Sequence, residues 1–213
     1  MYRTISIIAF VITLGGIGLY CIIRPCKECR RNPLKKLVQL FTLLFVEQKL
    51  SLAEAFRKLV YLLALLCFVV LAITGFYPTL VRGEHISGYL LMIHATFAPV
   101  FAITLAILAV MWSGHCRFTG SDWPWFGRLV QRVTLTKSPE QQDKNESCLG
   151  QKITFWLIIF LALPLILSIV LSMFPYFGTY WQELLLDIHR YTALVFALTA
   201  IVQTYFLIRT KMK

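Results

Sequence analysis

The stretch LLLDIHRYTALVFALTAIVQTYFLI, residues 184–208, decides the arrangement of the rest of the chain. It is apolar and longer than the ~20 residues that a helix needs to cross a bilayer. His189 lies roughly five residues inside it, where an ionisable side chain is costly in hydrocarbon and marks a candidate functional site. The same helical face carries Ala193, Ala197, Ala200 and Gln203. We interpret the stretch as a membrane-spanning helix with one face that has room for a flat ligand.

The composition indicates an integral membrane protein. Of the 213 residues, 58% are hydrophobic, whereas soluble domains contain about 45–50% apolar residues. Apolar runs long enough to span a bilayer occupy residues 4–23, 60–77, 86–112, 153–174 and 184–208. We interpret the first run as an uncleaved span, because it lacks a small-residue cleavage site and a basic block follows it.

The positive charge of the chain is concentrated on one side of the predicted membrane. The formal net charge is +11, and of the 21 lysines and arginines all but Arg3, Arg82 and Arg190 lie in the first and third connections or in the tail. This bias follows the positive-inside rule and predicts five spans with the N-terminus outside and the C-terminus inside. The basic side also suits anionic lipid headgroups, so nucleic acid is not needed to explain the charge.

Two of the four histidines fall at nearly the same depth. His94 and His189 lie near the start of the third and fifth spans, at roughly eight and five residues from the outer boundary. These two spans run in the same direction across the membrane. Two facing neutral imidazoles are the ligand set of six-coordinate haem iron. We interpret the pair as haem ligands, the alternative being unrelated histidines that hydrogen-bond within a bundle. His85 is interpreted as a surface residue, with proton exchange at a quinone site as the alternative, and His115 as a lipid-facing or loop residue.

Arg190 follows His189 directly and needs an anionic partner. A half-buried arginine without one is expensive. A haem propionate is a suitable bidentate partner, and Asp187 and Glu183 are the competing partners.

The first connection contains a cysteine-rich turn. Cys21, Cys26 and Cys29 form C-x4-C-x2-C, the spacing of a plant-type iron–sulfur cluster, and Cys116 or Cys148 lies on the same side as a possible fourth ligand. The spacing is also helical, and no fourth ligand is defined. We therefore predict that the turn binds no metal, with cluster binding and thiol redox chemistry as alternatives.

The remaining connections predict interfacial and solvated segments. Residues 34–50 combine leucines with lysines and are typical of an interfacial helix. Ser51 and Glu54 form a capping box that begins the next helix, and Pro78 ends it. Residues 138–148, SPEQQDKNESC, are predicted to be solvated loop.

With a histidine pair on parallel spans and Thr74-Gly75-Phe76 closing an earlier one, the chain resembles a known superfamily. It is similar to the four-helix cytochrome b subunits of respiratory formate dehydrogenases and nickel–iron hydrogenases, and to bacterial cytochrome b561-type proteins. The resemblance covers roughly residues 52–213. We expect an all-α membrane protein: a four-helix bundle in residues 34–213, with interfacial helices, and an additional N-terminal transmembrane helix with the cysteine turn in residues 1–33.

The resemblance also shows where this sequence departs from the family. Such proteins usually carry two haems stacked across the membrane, and the last helix gives one ligand to each, at the spacing from His189 to Gln203. The second ligand of the outer haem matches His94. That of the inner haem belongs to a pattern like R-x-x-H-W, which here begins at Arg57 and has Val60 at the histidine position. Both inner ligands are missing, so we expect a single haem b on the outer side.

The resemblance implies an electron-transfer subunit in a bacterial inner membrane. Its outer haem would exchange electrons between quinone and a redox partner at the outer face, such as a periplasmic cytochrome c or an iron–sulfur subunit. One alternative is a haem-poor or haem-free anchor for a larger respiratory complex. Another is a small dithiol oxidoreductase that uses Cys26 and Cys29.

Overall fold

The computed structural model describes residues 1–23, 52–114, 116–118, 142–174 and 178–211. Within them, the side chains of residues 21–23, 142–149 and 207–211 are left undescribed. The predicted interfacial helix at 34–50, the turn with Cys26 and Cys29, and His115 lie outside the described residues.

The described residues form long helices and contain no strand. These helices are α1 (Tyr2–Ile23), α2 (Leu52–Tyr77), α3 (Gly88–Ser113), α4 (Gln142–Ser172) and α5 (Thr179–Lys211), with a π-helical turn at Pro78–Arg82 between α2 and α3. In this part of the chain, five helices are long and apolar enough to cross a membrane. The prediction of an all-α, multi-pass membrane protein is therefore confirmed.

The predicted end of α2 is confirmed, whereas the predicted start of α4 was wrong. Helix α2 ends at Tyr77, but the chain continues through the π-helical turn to Gly83, which has a left-handed φ of 76° and donates its N–H to the Pro78 carbonyl. Helix α4 begins at Gln142, inside the segment predicted to be solvated loop. Glutamine, lysine and glutamate are good helix formers, so a span that is already helical can extend into water through them.

The helices pack as two close pairs that meet in an aromatic core. Helices α2 and α3 pack together, as do α4 and α5. Phe68 of α2, Phe101 of α3 and Phe196 of α5 form a cluster with ring centroids 5.9–6.2 Å apart. Cys67 and Ala162 complete this buried core, which joins all four helices.

Helix α1 packs on the outside of this four-helix arrangement. The Tyr2 ring meets Tyr191 of α5 edge-on at 5.2 Å, and Phe10 meets Phe76 of α2 at 5.3 Å. Its contacts lie along α5 and the π-helical turn. The additional helix is therefore fixed beside the end of the bundle that carries the two histidines.

Candidate haem site

His94 lies in the second turn of α3 with its ring against α2. Its Nδ1 is 2.9 Å from the Thr74 hydroxyl oxygen, and that hydroxyl lies 2.8 Å from the Val70 carbonyl, to which it donates. Because the hydroxyl proton is directed to Val70, the Thr74 oxygen accepts from Nδ1–H of His94. This assignment leaves Nε2 of His94 with a free lone pair, as metal ligation requires.

Gly75 allows the His94 ring to lie this close to α2. A Cβ atom at Gly75 would lie 3.3 Å from Cε1 and 3.8 Å from Nδ1 of His94. Any larger side chain would occupy the space of the imidazole. The Thr74–Gly75 pair thus supplies both the hydrogen-bond acceptor and the clearance for His94.

His189 lies near the start of the membrane-spanning part of α5 and is held by α4. Its Nδ1 is 2.9 Å from the Leu165 carbonyl oxygen. A carbonyl can only accept, so Nδ1 carries the proton and Nε2 is left with a free lone pair. Ligating histidines in metalloproteins are held by the same kind of second hydrogen bond.

The two histidines lie at the same level of the bundle. Phe101 and Phe196 each lie two helical turns, about 10 Å, beyond the histidine of the same helix. The centroids of these two rings are 5.9 Å apart. Since α3 and α5 run in the same direction, His94 and His189 are level as well. The aromatic cluster lies about two helical turns beyond them.

The donor set fits haem iron rather than a bare metal ion. Among the described residues, no group of three or more His, Cys, Asp or Glu side chains lies close enough to hold a metal ion. A haem iron receives four nitrogens from its own macrocycle and needs only axial ligands from the protein. Two imidazoles with oriented Nδ1 atoms and free Nε2 atoms meet that need.

Arg190 contacts the turn that precedes α3. Its Nη1 donates to Asp187 Oδ1 at 3.2 Å, and its Nη2 donates to His85 Nδ1. Asp187 is one of the two residues that the sequence offered, as alternatives to a haem propionate, for the anionic partner of Arg190. His85 is exposed, as predicted for a surface residue, but its bond to Arg190 was not foreseen, because the residues are 105 positions apart.

Comparison with known proteins agrees with the cytochrome resemblance. The cytochrome b556(Fdn) subunit of nitrate-inducible formate dehydrogenase from Escherichia coli strain K12 is 28% identical to the chain over 145 residues. The chain is similar to cytochrome b subunits. The same subunits from Escherichia coli O157:H7 and Shigella flexneri match equally, and the chain spans 64% of the length of each relative, with 64% of its own residues covered. No protein-family profile and no solved structure matches the chain.

This similarity confirms the resemblance to the cytochrome b subunit superfamily drawn from the sequence. The roles of His94, His189 and Arg190 remain predictions.

Helices α4 and α5 are also joined at the end of the bundle away from the histidine pair, where the resemblance led us to expect a second ligand. The Thr154 hydroxyl of α4 donates to Gln203 Oε1 of α5. One turn further along α5, the Phe206 ring packs on α4, where a Cβ at Gly150 would lie 3.0 Å from it. Val60 on α2 is only 5% exposed. Val60 is therefore packed in the bundle, and Gln203 takes part in a hydrogen bond between helices.

The alanine stripe of α5 lies along α4. Its two ends, His189 and Gln203, both bond to α4, and Ala197 between them is 4% exposed. Small residues let membrane helices approach closely. The face that the sequence suggested for a flat ligand is thus used for packing α4 against α5.

Cys116, considered as a fourth ligand for the cysteine turn, lies just beyond α3. Burial raises the pKa of its thiol, and the nearby Lys152 ammonium acts in the opposite direction. Its carbonyl accepts from the Trp156 indole at 3.0 Å.

Proposed function

We propose that this chain is a membrane-embedded b-type cytochrome subunit that carries electrons between quinone and a redox partner. A single haem b is held by His94 and His189. The observation that carries this proposal is the pair of level imidazoles, each with Nδ1 bonded to the protein and Nε2 free. The similarity to a formate dehydrogenase cytochrome b subunit supports the same conclusion.

Each part of the site has a role in this function. Bound haem b supplies a one-electron iron couple. Thr74 and the Leu165 carbonyl hold the two imidazoles in one tautomer and increase their basicity as ligands. The packed helices keep water away from the ligands, and the aromatic cluster below separates them from the inner half of the membrane.

The haem count of one follows from the inner residues. Valine has no donor atom, and a glutamine amide is a poor ligand for iron. The amide oxygen of Gln203 also accepts from Thr154. With Val60 and Gln203 in the ligand positions, the inner half lacks the second imidazole pair.

The sidedness follows from the charge distribution. The basic connections and tail face the cytoplasm by the positive-inside rule, so the histidine pair lies near the outer face of a bacterial inner membrane. A redox subunit of the same complex, such as a periplasmic cytochrome c or an iron–sulfur protein, would dock on that side. Quinone would reach the site from the bilayer and exchange protons outside, near Glu84 and His85, while anionic lipids cover the basic side.

Haem content tests this proposal directly. Protein purified in detergent is expected to contain about one haem b per chain by pyridine haemochrome assay, because one imidazole pair provides one six-coordinate site. A content near two would contradict the inner-site argument. A protein free of haem would support the membrane-anchor alternative instead.

The contribution of the Thr74 hydrogen bond to haem retention should be measurable separately from that of the ligand His94. Thr74→Val keeps the side-chain shape but removes the acceptor, and we expect haem loss to an apomyoglobin acceptor to become about ten-fold faster. Thr104→Val is the matched control, since the Thr104 hydroxyl is buried and bonds only to Val100 and Phe101 of its own helix. Equal haem loss from the two variants would show that Thr74 does not support the ligand.

A further inference from the structure

The three basic residues that the sequence assigns to the outer side meet at one turn. Arg82 ends the π-helical turn, and Arg190 reaches from α5 to His85, three residues further along. Arg3 reaches the same turn from α1, where its Nη1 lies 3.0 Å from the position of a Cβ at Gly83. Three separate segments therefore each place an arginine beside residues 82–85.

Helix α1 is positioned for this role by its own contacts. The Tyr2 hydroxyl donates to the Arg190 carbonyl at 3.0 Å, which ties the first turn of α1 to α5 beside His189. Ser6 is fully buried and bonds to the Tyr2 carbonyl. Phe10 packs on Phe76, the residue after the glycine on which His94 rests. These contacts place Arg3 at the end of the bundle that contains the candidate haem site.

The guanidinium groups of Arg3 and Arg190 have donors left for an anion. Arg3 has no carboxylate partner within the described part of the chain, and the Glu84 carboxylate in the same turn forms no ion pair there either. Arg190 uses one N–H toward Asp187 and one toward His85, out of five on the group. Arg82 differs, because its guanidinium lies over the Tyr77 ring at 5.8 Å.

We propose that α1 completes the cofactor site, with Arg3 and Arg190 forming a clamp for the carboxylates of the haem propionates. This inference rests on the proposed haem function. Guanidinium groups bind carboxylates through paired hydrogen bonds, and those of Arg3 and Arg190 both lie beside the turn at the end of the bundle that carries the histidine pair. The N-terminal helix, which the cytochrome resemblance leaves outside the bundle, is thereby part of the binding site.

The test measures haem release with the propionates intact or blocked. The full-length protein is prepared without haem and loaded with haem b or with its dimethyl ester, whose esterified propionates cannot pair with arginine. Loss of each to apomyoglobin is then followed in the wild type and in Arg3→Gln, Arg3→Lys and Arg82→Gln. Arg82→Gln is the matched control, because it removes an equal charge beside the same turn, where the Arg82 guanidinium lies over the Tyr77 ring.

Arg3→Gln is expected to accelerate loss of haem b about ten-fold, the effect of removing a charged hydrogen bond. It should leave loss of the dimethyl ester unchanged, since the bond is already absent, and Arg3→Lys should recover part of the wild-type retention. Arg82→Gln should change neither rate more than about two-fold.

Two results would overturn the clamp while leaving the proposed function intact. One is haem b loss from Arg3→Gln that equals loss from Arg82→Gln, or an equal acceleration for the ester. The other is unchanged haem loss together with weaker binding to phosphatidylglycerol vesicles, which would assign Arg3 to lipid phosphate. Failure of the wild type to bind haem b at all would refute both proposals.

Discussion

Replacing His189 with alanine is expected to abolish the b-type absorption spectrum of the purified protein. The substitution removes one of the two proposed iron ligands, and the Leu165 carbonyl that holds the imidazole could not take its place as a strong ligand. His94→Ala should have the same effect, because losing either histidine would leave the iron one strong ligand short. Reduced-minus-oxidised difference spectra and haem content per chain would measure the loss.

The remaining histidines serve as controls for this experiment. His85→Ala and His115→Ala should leave the spectrum largely unchanged. His85 uses its Nδ1 to accept from Arg190 in the turn before α3, and His115 follows the far end of the third predicted span. A b-type spectrum that survives His189→Ala would rule out this site. Loss of the spectrum in His115→Ala alone would move the ligand to the basic side of the membrane.

Substituting Gly75 with leucine should remove haem as completely as removing a ligand. The new Cβ alone would lie 3.3 Å from His94 Cε1, and the additional carbons of leucine would occupy the volume of the imidazole. His94 would then be displaced from its bond to Thr74 and from the level of His189. Haem content per chain, measured at matched levels of membrane-inserted protein, would report the effect.

Gly16→Leu provides the matched control for this substitution. Gly16 lies in α1, and a Cβ there meets no atom within 4 Å. The same change of residue type should therefore leave haem content intact. Normal haem content in Gly75→Leu would show that the ring of His94 is not seated against α2.

The sequence predicted the spans and the level of the candidate ligands for simple physical reasons. Hydrocarbon requires about 20 apolar residues per crossing, so the spans are readable from local composition. His94 and His189 stood out because ionisable groups are rare at that depth. The direction of each span follows from the alternation of crossings, which places both histidines at one end of the bundle.

Other local features were misread because neighbouring structure overrides local signals. The polar residues that begin α4 were predicted to be loop, yet they continue a helix anchored in the membrane. The end of α2 was read correctly, because the α-helix stops at Tyr77 before Pro78. The sequence did not show that Gly75 gives His94 its clearance or that Pro78 begins a π-helical turn that leads to Gly83.

By itself, the sequence determined that the chain crosses the membrane as helices and that two histidines lie level near one end. Only the tertiary structure decided which groups hold them: Thr74 for His94 and the Leu165 carbonyl for His189. It also decided that Arg190 meets His85 and that α1 lies beside the site. The reason is that hydropathy determines depth in a bilayer, whereas lateral neighbours depend on van der Waals packing and hydrogen bonds between distant helices.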